Sequence, residues 1–141
     1  MGKKIIYPTE NNGVAIITPI LDCGLTVEQI AAKDVPIGVP FKIINASEVP
    51  ADFTFRAAWE YSAMSIIINL NKAKDIGHTM RRDARTKEFA PYDEIISKQI
   101  PGASVVEAEA ARQAIREKYA VIQLKIDAAL TPEEIKQALE I

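Results

Sequence analysis

The residues whose types and spacing best suit a binding site are cations grouped in one stretch of the chain. Residues 72 to 87 hold six lysines and arginines against only Asp75 and Asp83, in a chain whose formal net charge is −2. Helical spacing puts five candidate partner-binding residues on one broad face: Lys74, His78, Arg81, Arg82 and Arg85. Such a face suits the phosphates of a nucleic acid or an acidic protein surface. A solvated helix face, with no partner at all, is the third interpretation.

Residues for metal binding or nucleophilic catalysis are few. The chain has one histidine and one cysteine, and it contains no HExxH, CxxC or EF-hand spacing. Cys23 precedes Gly24, which indicates a turn, and a free cysteine is more often a small buried hydrophobe than a nucleophile with His78 as its base. We therefore predict no metal site, no cofactor, no catalytic residue and no enzymatic activity.

Composition places the chain among ordinary globular proteins. Its 141 residues are 48% hydrophobic, which argues against general disorder, and a single cysteine excludes an internal disulfide framework. A pI near 5.5 fits a general nucleic-acid binder poorly. The apolar stretch after Lys4 is too short for a signal peptide, and no apolar run approaches the roughly 20 residues of a membrane span. We expect a soluble protein made in the cytoplasm, with no membrane partner.

The first 60 residues or so predict a small α+β unit. We predict a three-stranded antiparallel sheet from strands at residues 3–7, 14–18 and 41–44. Asn12-Gly13 lies between the first two strands, and this dipeptide supplies the positive φ angles of hairpin turns. Thr26 and Gln29 have capping-box spacing, which predicts a short helix to about Lys33.

An aromatic cluster closes this unit. Four of the nine aromatic residues fall within nine positions: Phe53, Phe55, Trp59 and Tyr61. Each can bury roughly 150 to 250 Å², so we interpret the cluster as the core of a first domain at residues 1–65. An exposed aromatic surface for stacking bases or gripping a sugar is the alternative.

A helical domain is predicted at residues 69–141. Its first helix is capped by Asn69 or Asn71 and carries an apolar stripe, and Pro91 should end or kink it. An apolar turn continues to Gln99, after which Ile100-Pro101-Gly102 breaks the chain.

The second long helix carries an apolar seam with alternating three- and four-residue steps, typical of a helix packed lengthwise on another. The seam consists of Val105, Ala108, Arg112, Ile115, Tyr119, Ile122, Ile126 and Ala129. Val121 and Leu124, with Ala111 and Ala114, widen this face, so we expect burial against several elements. Thr131-Pro132-Glu133-Glu134 starts a short last helix that directs Ile135 and Leu139 inward.

These elements predict an α+β fold with a small antiparallel β-rich N-terminal domain, a C-terminal helical hairpin and a short terminal helix. We expect the hairpin to be intramolecular, since the break at residues 100–102 is brief enough to fold the two helices back on each other.

Several motifs occur in an order that resembles a known family. They are Val35-Pro36-Ile37-Gly38-Val39-Pro40-Phe41, Val49-Pro50-Ala51-Asp52, Phe55-Arg56-Ala57-Ala58-Trp59, Lys72-Ala73 with Ile76, Arg81-Arg82-Asp83-Ala84-Arg85 and Thr131-Pro132-Glu133-Glu134. This order resembles a family of small tailed-bacteriophage and prophage proteins of mostly unassigned function, similar in layout to tail-fibre assembly and tail-assembly chaperones. The resemblance covers most of the chain, and its motifs are not catalytic.

The resemblance implies a phage tail or tail-fibre associated protein that acts by protein–protein binding. It would be a fibre assembly chaperone or a minor virion structural component, in the host cytoplasm during assembly or in the virion tail. Its partner would be a tail or tail-fibre protein, with oligomers forming on a trimeric fibre. The alternative is a phage accessory nucleic-acid-binding protein that uses the basic helix 72–87.

Overall fold

Strands and helices occupy separate parts of the chain. The computed structural model describes residues 2–20 and 22–141, and the chain divides into a first unit, Met1–Asn69, and a second unit, Leu70–Ile141. Among the described residues, the first unit contains the strands, one short α-helix and three single-turn 3-10 helices, and the second contains three α-helices. The predicted α+β fold class, with its helical hairpin and short terminal helix, is confirmed.

A three-stranded antiparallel sheet forms the frame of the first unit, as predicted. Its strands are β1 (Lys3–Pro8), β2 (Val14–Ile17) and β3 (Lys42–Asn45), in the order β2-β1-β3. The turn between β1 and β2 differs from the prediction. Asn11 and Asn12 have φ angles of 61° and 62°, whereas Gly13 has φ −68°. Asparagine is one of the few residues other than glycine that tolerate this left-handed region, so the positive φ angles begin one residue earlier than expected.

The central strand supplies two small cores, one on each face of the sheet. Ile5 and Ile6 are both completely buried, and successive side chains of a strand point to opposite faces. Ile5 packs against Ile30 of helix α1 (Val27–Asp34). Ile6 packs in the other core with Trp59.

The aromatic cluster is divided between core and surface. Trp59 is 1% exposed and Phe55 is also buried, but Phe53 is 62% exposed and Tyr61 is half-buried. The core interpretation is therefore wrong for Phe53, whose ring lies against that of Trp59 with the centroids 5.4 Å apart.

Two strands in this region were not predicted. β4 (Trp59–Ser62) and β5 (Ser65–Ile68) form a separate antiparallel pair. Their turn uses Ala63 and Met64 at φ 49° and 62°, a conformation normally taken by asparagine or glycine. The turn therefore carries none of the residue types by which a hairpin is recognised.

The second unit is a hairpin of two long helices with a short third helix. These helices are α2 (Leu70–Lys98), α3 (Val105–Ala128) and α4 (Pro132–Leu139). Pro91 lies inside α2 and does not end it. Ion pairs join α2 to α3 on both sides of this proline, from Glu88 to Lys118 at 3.2 Å and from Asp93 to Arg112 at 2.9 Å. These contacts help to hold both halves of α2 against the same neighbour.

The apolar seam of α3 is buried over most of its predicted length. Its buried members are Ala108, Ile115, Tyr119, Ile122, Ile126 and Ala129. The expected wider burial of α3 is wrong, because Val121 and Leu124 are 50% and 69% exposed. In α4, Ile135 is completely buried and Leu139 is partly buried. Among the helices of residues 2–20 and 22–141, none has the length and apolar character needed to cross a bilayer.

Candidate functional site

The residue types that bind metal ions are not grouped in the described part of the chain, and the one cysteine does not have the predicted burial. Across residues 2–20 and 22–141, no three or more His, Cys, Asp or Glu side chains are grouped so that they could hold a metal ion. Cys23 is exposed rather than buried. The side chains that do converge are arginines.

Four arginines from two helices meet at one pocket of the second unit. The pocket has a volume of about 290 Å³ and lies between α2 and α3. Its lining consists of Arg81, Arg82 and Arg85 from α2 with Arg116, Tyr119, Ala120 and Gln123 from α3. We refer to Arg81, Arg82, Arg85 and Arg116 as the arginine cluster.

The first two arginines of the cluster donate to neutral acceptors. Arg81 Nε donates to His78 Nδ1 at 3.2 Å, and Arg82 Nη2 donates to Thr79 Oγ1 at 3.3 Å. Arg81 is only 9% exposed as a whole residue, and arginines with so little exposure are normally paired with a carboxylate. In the described part of the chain, neither arginine forms an ion pair.

The other two arginines share an aromatic ring. The guanidinium carbons of Arg85 and Arg116 lie 4.7 Å and 5.9 Å from the centroid of Phe89. Arg116 also donates from Nη1 to Gln113 Oε1 at 3.1 Å. A cation over an aromatic face is attracted by the ring quadrupole. The guanidinium carbon of Arg112 lies 5.7 Å from the same centroid, but Arg112 is paired with Asp93 and Glu109. Phe89 therefore gathers three positive charges, and among the described residues those of Arg85 and Arg116 have no carboxylate partner.

The electrostatics of Arg81 show that this positive charge is concentrated. Burial lowers the pKa of Arg81, and the neighbouring Arg82 and Arg85 lower it further, while Asp127 acts in the opposite direction. A guanidinium nevertheless stays protonated in proteins. The pocket is therefore lined by like charges that are only partly offset.

His78 connects Arg81 to an acid on α3. His78 Nε2 lies 2.7 Å from Asp127 Oδ1, while its Nδ1 accepts the hydrogen bond from Arg81. Arginine has no acceptor atom, so Nδ1 must be the unprotonated nitrogen and Nε2–H must donate to Asp127. Lys74 Nζ donates to the backbone carbonyl of the same Asp127 at 2.9 Å.

The five predicted partner-binding residues thus divide into two groups. Arg81, Arg82 and Arg85 line the pocket, whereas Lys74 and His78 bind Asp127 and are absent from the lining.

Sequence reasoning missed the contribution of α3 to this site. Arg116 and Gln123 lie three residues before and four residues after Tyr119, so they share a helix face with a buried seam residue. That spacing was available as a signal. The spacing does not show, however, which residues of α2 lie opposite Arg116. The register of α3 against α2 determines this, and it places Arg116 beside Arg85.

Tyr119 has a carboxylate partner of its own. Burial and its hydrogen bond to Glu88 raise the pKa of Tyr119 to about 12. The same hydrogen bond, aided by Lys118, lowers the pKa of Glu88. Glu88 is therefore engaged by Tyr119 and Lys118 rather than by the arginine cluster.

The arrangement supports one kind of chemistry well, which is the binding of an oxyanion. A guanidinium presents a planar fork of N–H donors that matches carboxylate and phosphate oxygens two at a time. Several such forks converge on the pocket from two helices.

No protein-family model, no curated protein and no solved structure matches this chain.

Proposed function

We propose that this chain is a bacteriophage tail or tail-fibre associated protein that acts by binding another protein. It serves either as an assembly chaperone for the fibre or as a minor structural component of the virion. The order of motifs from Val35 to Trp59, at residues 72–85 and at residues 131–134 supports the phage assignment. It resembles a family of small tailed-bacteriophage and prophage proteins that are similar in layout to tail-fibre assembly and tail-assembly chaperones. The arginine cluster carries the binding role, because it places four guanidinium groups at one pocket.

The surrounding charge favours a protein partner over a nucleic acid. The second unit has equal numbers of acidic and basic residues, and Asp75 and Asp83 lie on the same helix as the arginines. A nucleic-acid backbone is best met by an extended basic surface. A short acidic segment of a protein needs only a local cluster of cations.

Nucleic-acid binding through the basic helix 72–87 is the second candidate. The observation in its favour is the geometry of the guanidinium groups, which suits phosphate as well as carboxylate oxygens.

Affinity capture from cells producing the phage tests the preferred function. The tagged chain should co-purify an identified tail or tail-fibre protein. Arg82→Glu combined with Arg85→Glu should abolish this capture with only a modest fall in melting temperature. Arg82 is exposed, and an exposed charge contributes about 0 to 1 kcal/mol, while half-buried Arg85 loses a cation–π contact with Phe89 worth about 0.5 to 1 kcal/mol. Lys87→Glu combined with Lys125→Glu is the matched control, because it makes the same charge change on exposed positions outside the pocket lining.

Mass spectrometry of purified virions then separates the two roles. A chain found in the particle is a structural component, whereas a chain that captures a tail protein but is missing from the particle is a chaperone. The nucleic-acid candidate requires a different result. Retention on a DNA or RNA column at physiological salt, with a steep salt dependence and no tail protein captured, would replace our proposal.

A further inference from the structure

Arg81 is a largely buried residue whose terminal nitrogens have no protein acceptor and open onto the pocket. Its Nε is used by His78, and among the described residues no hydrogen bond or ion pair engages Nη1 or Nη2. The side chain is nine-tenths buried and lines the pocket. These two nitrogens are not enclosed by protein atoms, so an anion in the pocket could accept charge-assisted hydrogen bonds from them without competition from a protein acceptor.

The cluster is also organised before any ligand arrives. Asp127 and His78 fix the orientation of Arg81 through consecutive hydrogen bonds. Phe89 holds Arg85 and Arg116 on the other side. Side chains that are already ordered lose less rotamer freedom on binding, so the arrangement has the character of a built site rather than of a solvated helix face.

We propose that the arginine cluster binds adjacent carboxylates of an acidic peptide segment in the partner protein. Four guanidinium groups provide more charge than one carboxylate can offset, and a pocket of about 290 Å³ exceeds the roughly 30 Å³ of a water molecule by enough to admit two carboxyl groups. This inference rests on the proposed function, whose partner class it defines. A phosphodiester strand fits less well, because the acidic residues of the second unit repel the phosphates that extend beyond the pocket, whereas an acidic segment need place only two adjacent carboxylates there.

Calorimetric titration with a defined peptide tests the site. The probe is a tetra-aspartate peptide with both ends blocked, added to the full chain at low salt, where screening is weak. Tetra-asparagine of the same length is the uncharged control. The aspartate peptide should bind and the asparagine peptide should not.

Matched variants locate the binding. Arg82→Gln combined with Arg116→Gln should weaken peptide affinity at least about tenfold, since each removes charge-assisted hydrogen bonds. Lys87→Gln combined with Lys125→Gln removes the same charge from exposed positions outside the lining, and it should change the affinity less than about twofold. No binding of tetra-aspartate, or equal losses in the two pairs, would overturn the proposal. Tighter binding of a short single-stranded DNA than of the peptide would overturn it in favour of phosphate recognition.

His78 is a positioning residue in this site, and its role has a separate readout. His78→Leu removes the acceptor for Arg81 Nε–H, so the Nε–H resonance of Arg81 should lose its protection from solvent exchange and peptide affinity should fall. His78→Gln retains an acceptor oxygen and should restore both. If both variants bind the peptide as the wild-type chain does, the positioning role is wrong.

Failure of this site and failure of the proposed function give different patterns. If tetra-aspartate does not bind but a tail protein is still captured, the tail function stands and the carboxylate site is wrong. If the peptide binds with the expected variant effects but no tail protein is captured, the site stands and the tail function is wrong.

Discussion

At the scale of single side chains, Trp59 and Phe53 are in contact but differ in how far each is buried. Trp59 is enclosed by the core around Ile6, whereas Phe53 covers its ring from the solvent side. Removing a large buried side chain loses its transfer free energy and leaves a cavity. An exposed ring loses little more than its contact with the neighbouring aromatic.

We therefore expect Trp59→Ala to lower the free energy of unfolding by about 3 to 5 kcal/mol. Phe53→Ala is the paired control and should cost about 1 kcal/mol. Urea unfolding followed by circular dichroism measures both. Similar losses for the two variants would show that Phe53 belongs to the core, as the sequence first indicated.

Tyr119 makes stability depend on pH in the alkaline range. Its pKa of about 12 in the folded chain lies above the ordinary value near 10. Above pH 10 the unfolded chain therefore releases the tyrosine proton while the folded chain retains it. Stability from this residue is complete below pH 10 and is lost as the pH rises to 12, by at most about 1.4 kcal/mol per pH unit.

Tyr119→Phe removes this dependence. The variant should be less stable than the wild-type chain at pH 8, because the hydrogen bond to Glu88 is gone, and the difference should narrow between pH 10 and 12. Urea titrations of both proteins at several pH values provide the measurement. Stability curves that stay parallel through this range would contradict the assignment.

Packing of the helices in the second unit depends on a glycine of α2. A Cβ atom at Gly77 would lie 2.7 Å from Ile135 Cγ2 and 3.6 Å from Ile126 Cγ2. Both isoleucines are completely buried, so their branched side chains have little room to move away. Gly77 lets helices α3 and α4 pack directly against the backbone of α2.

Gly77→Ala should consequently destabilise the chain by about 1 to 3 kcal/mol through overpacking. Alanine in a helix is otherwise favourable by about 1 kcal/mol over glycine. A loss of stability, rather than a gain, would therefore indicate overpacking. Thr86→Ala, at an exposed position of the same helix, is the control and should change stability by less than about 0.5 kcal/mol. A higher melting temperature for Gly77→Ala would contradict the close approach of Ile135 to the backbone of α2.

The whole molecule consists of two units that each possess their own buried residues. Trp59 is the single tryptophan and reports on the first unit, whereas helical circular dichroism reports mainly on the three helices of the second. The two signals can therefore follow the two units within one intact chain.

Ile126→Ala should destabilise the second unit by about 2 to 5 kcal/mol, because Ile126 is completely buried. The midpoint seen by circular dichroism should fall while the tryptophan fluorescence midpoint stays in place. Leu124→Ala, at an exposed position of the same helix, should leave both midpoints unchanged. Equal shifts of both signals with Ile126→Ala would show that the units unfold as one.

Local physical chemistry explains which elements the sequence alone predicted. Thr26 and Gln29 form the expected capping box, and Thr131 caps α4 with Pro132 at its first turn. Caps, proline positions and the period of an apolar seam involve residues within a few positions of one another. The helix ends and buried helix faces that these features specify are therefore largely determined before any tertiary contact forms.

Tertiary structure decided the features that join distant positions or contradict local preference. The β4–β5 turn at Ala63 and Met64 has positive φ angles despite lacking asparagine and glycine. His78 reaches Asp127 across 49 positions of sequence, and Arg116 joins the arginines of α2 only through the register of the hairpin. The sequence by itself determined that residues 72–87 are basic and helical. Only the packing of α3 against α2 decided which arginines share a pocket, because register depends on the fit of whole helix faces rather than on any local pattern.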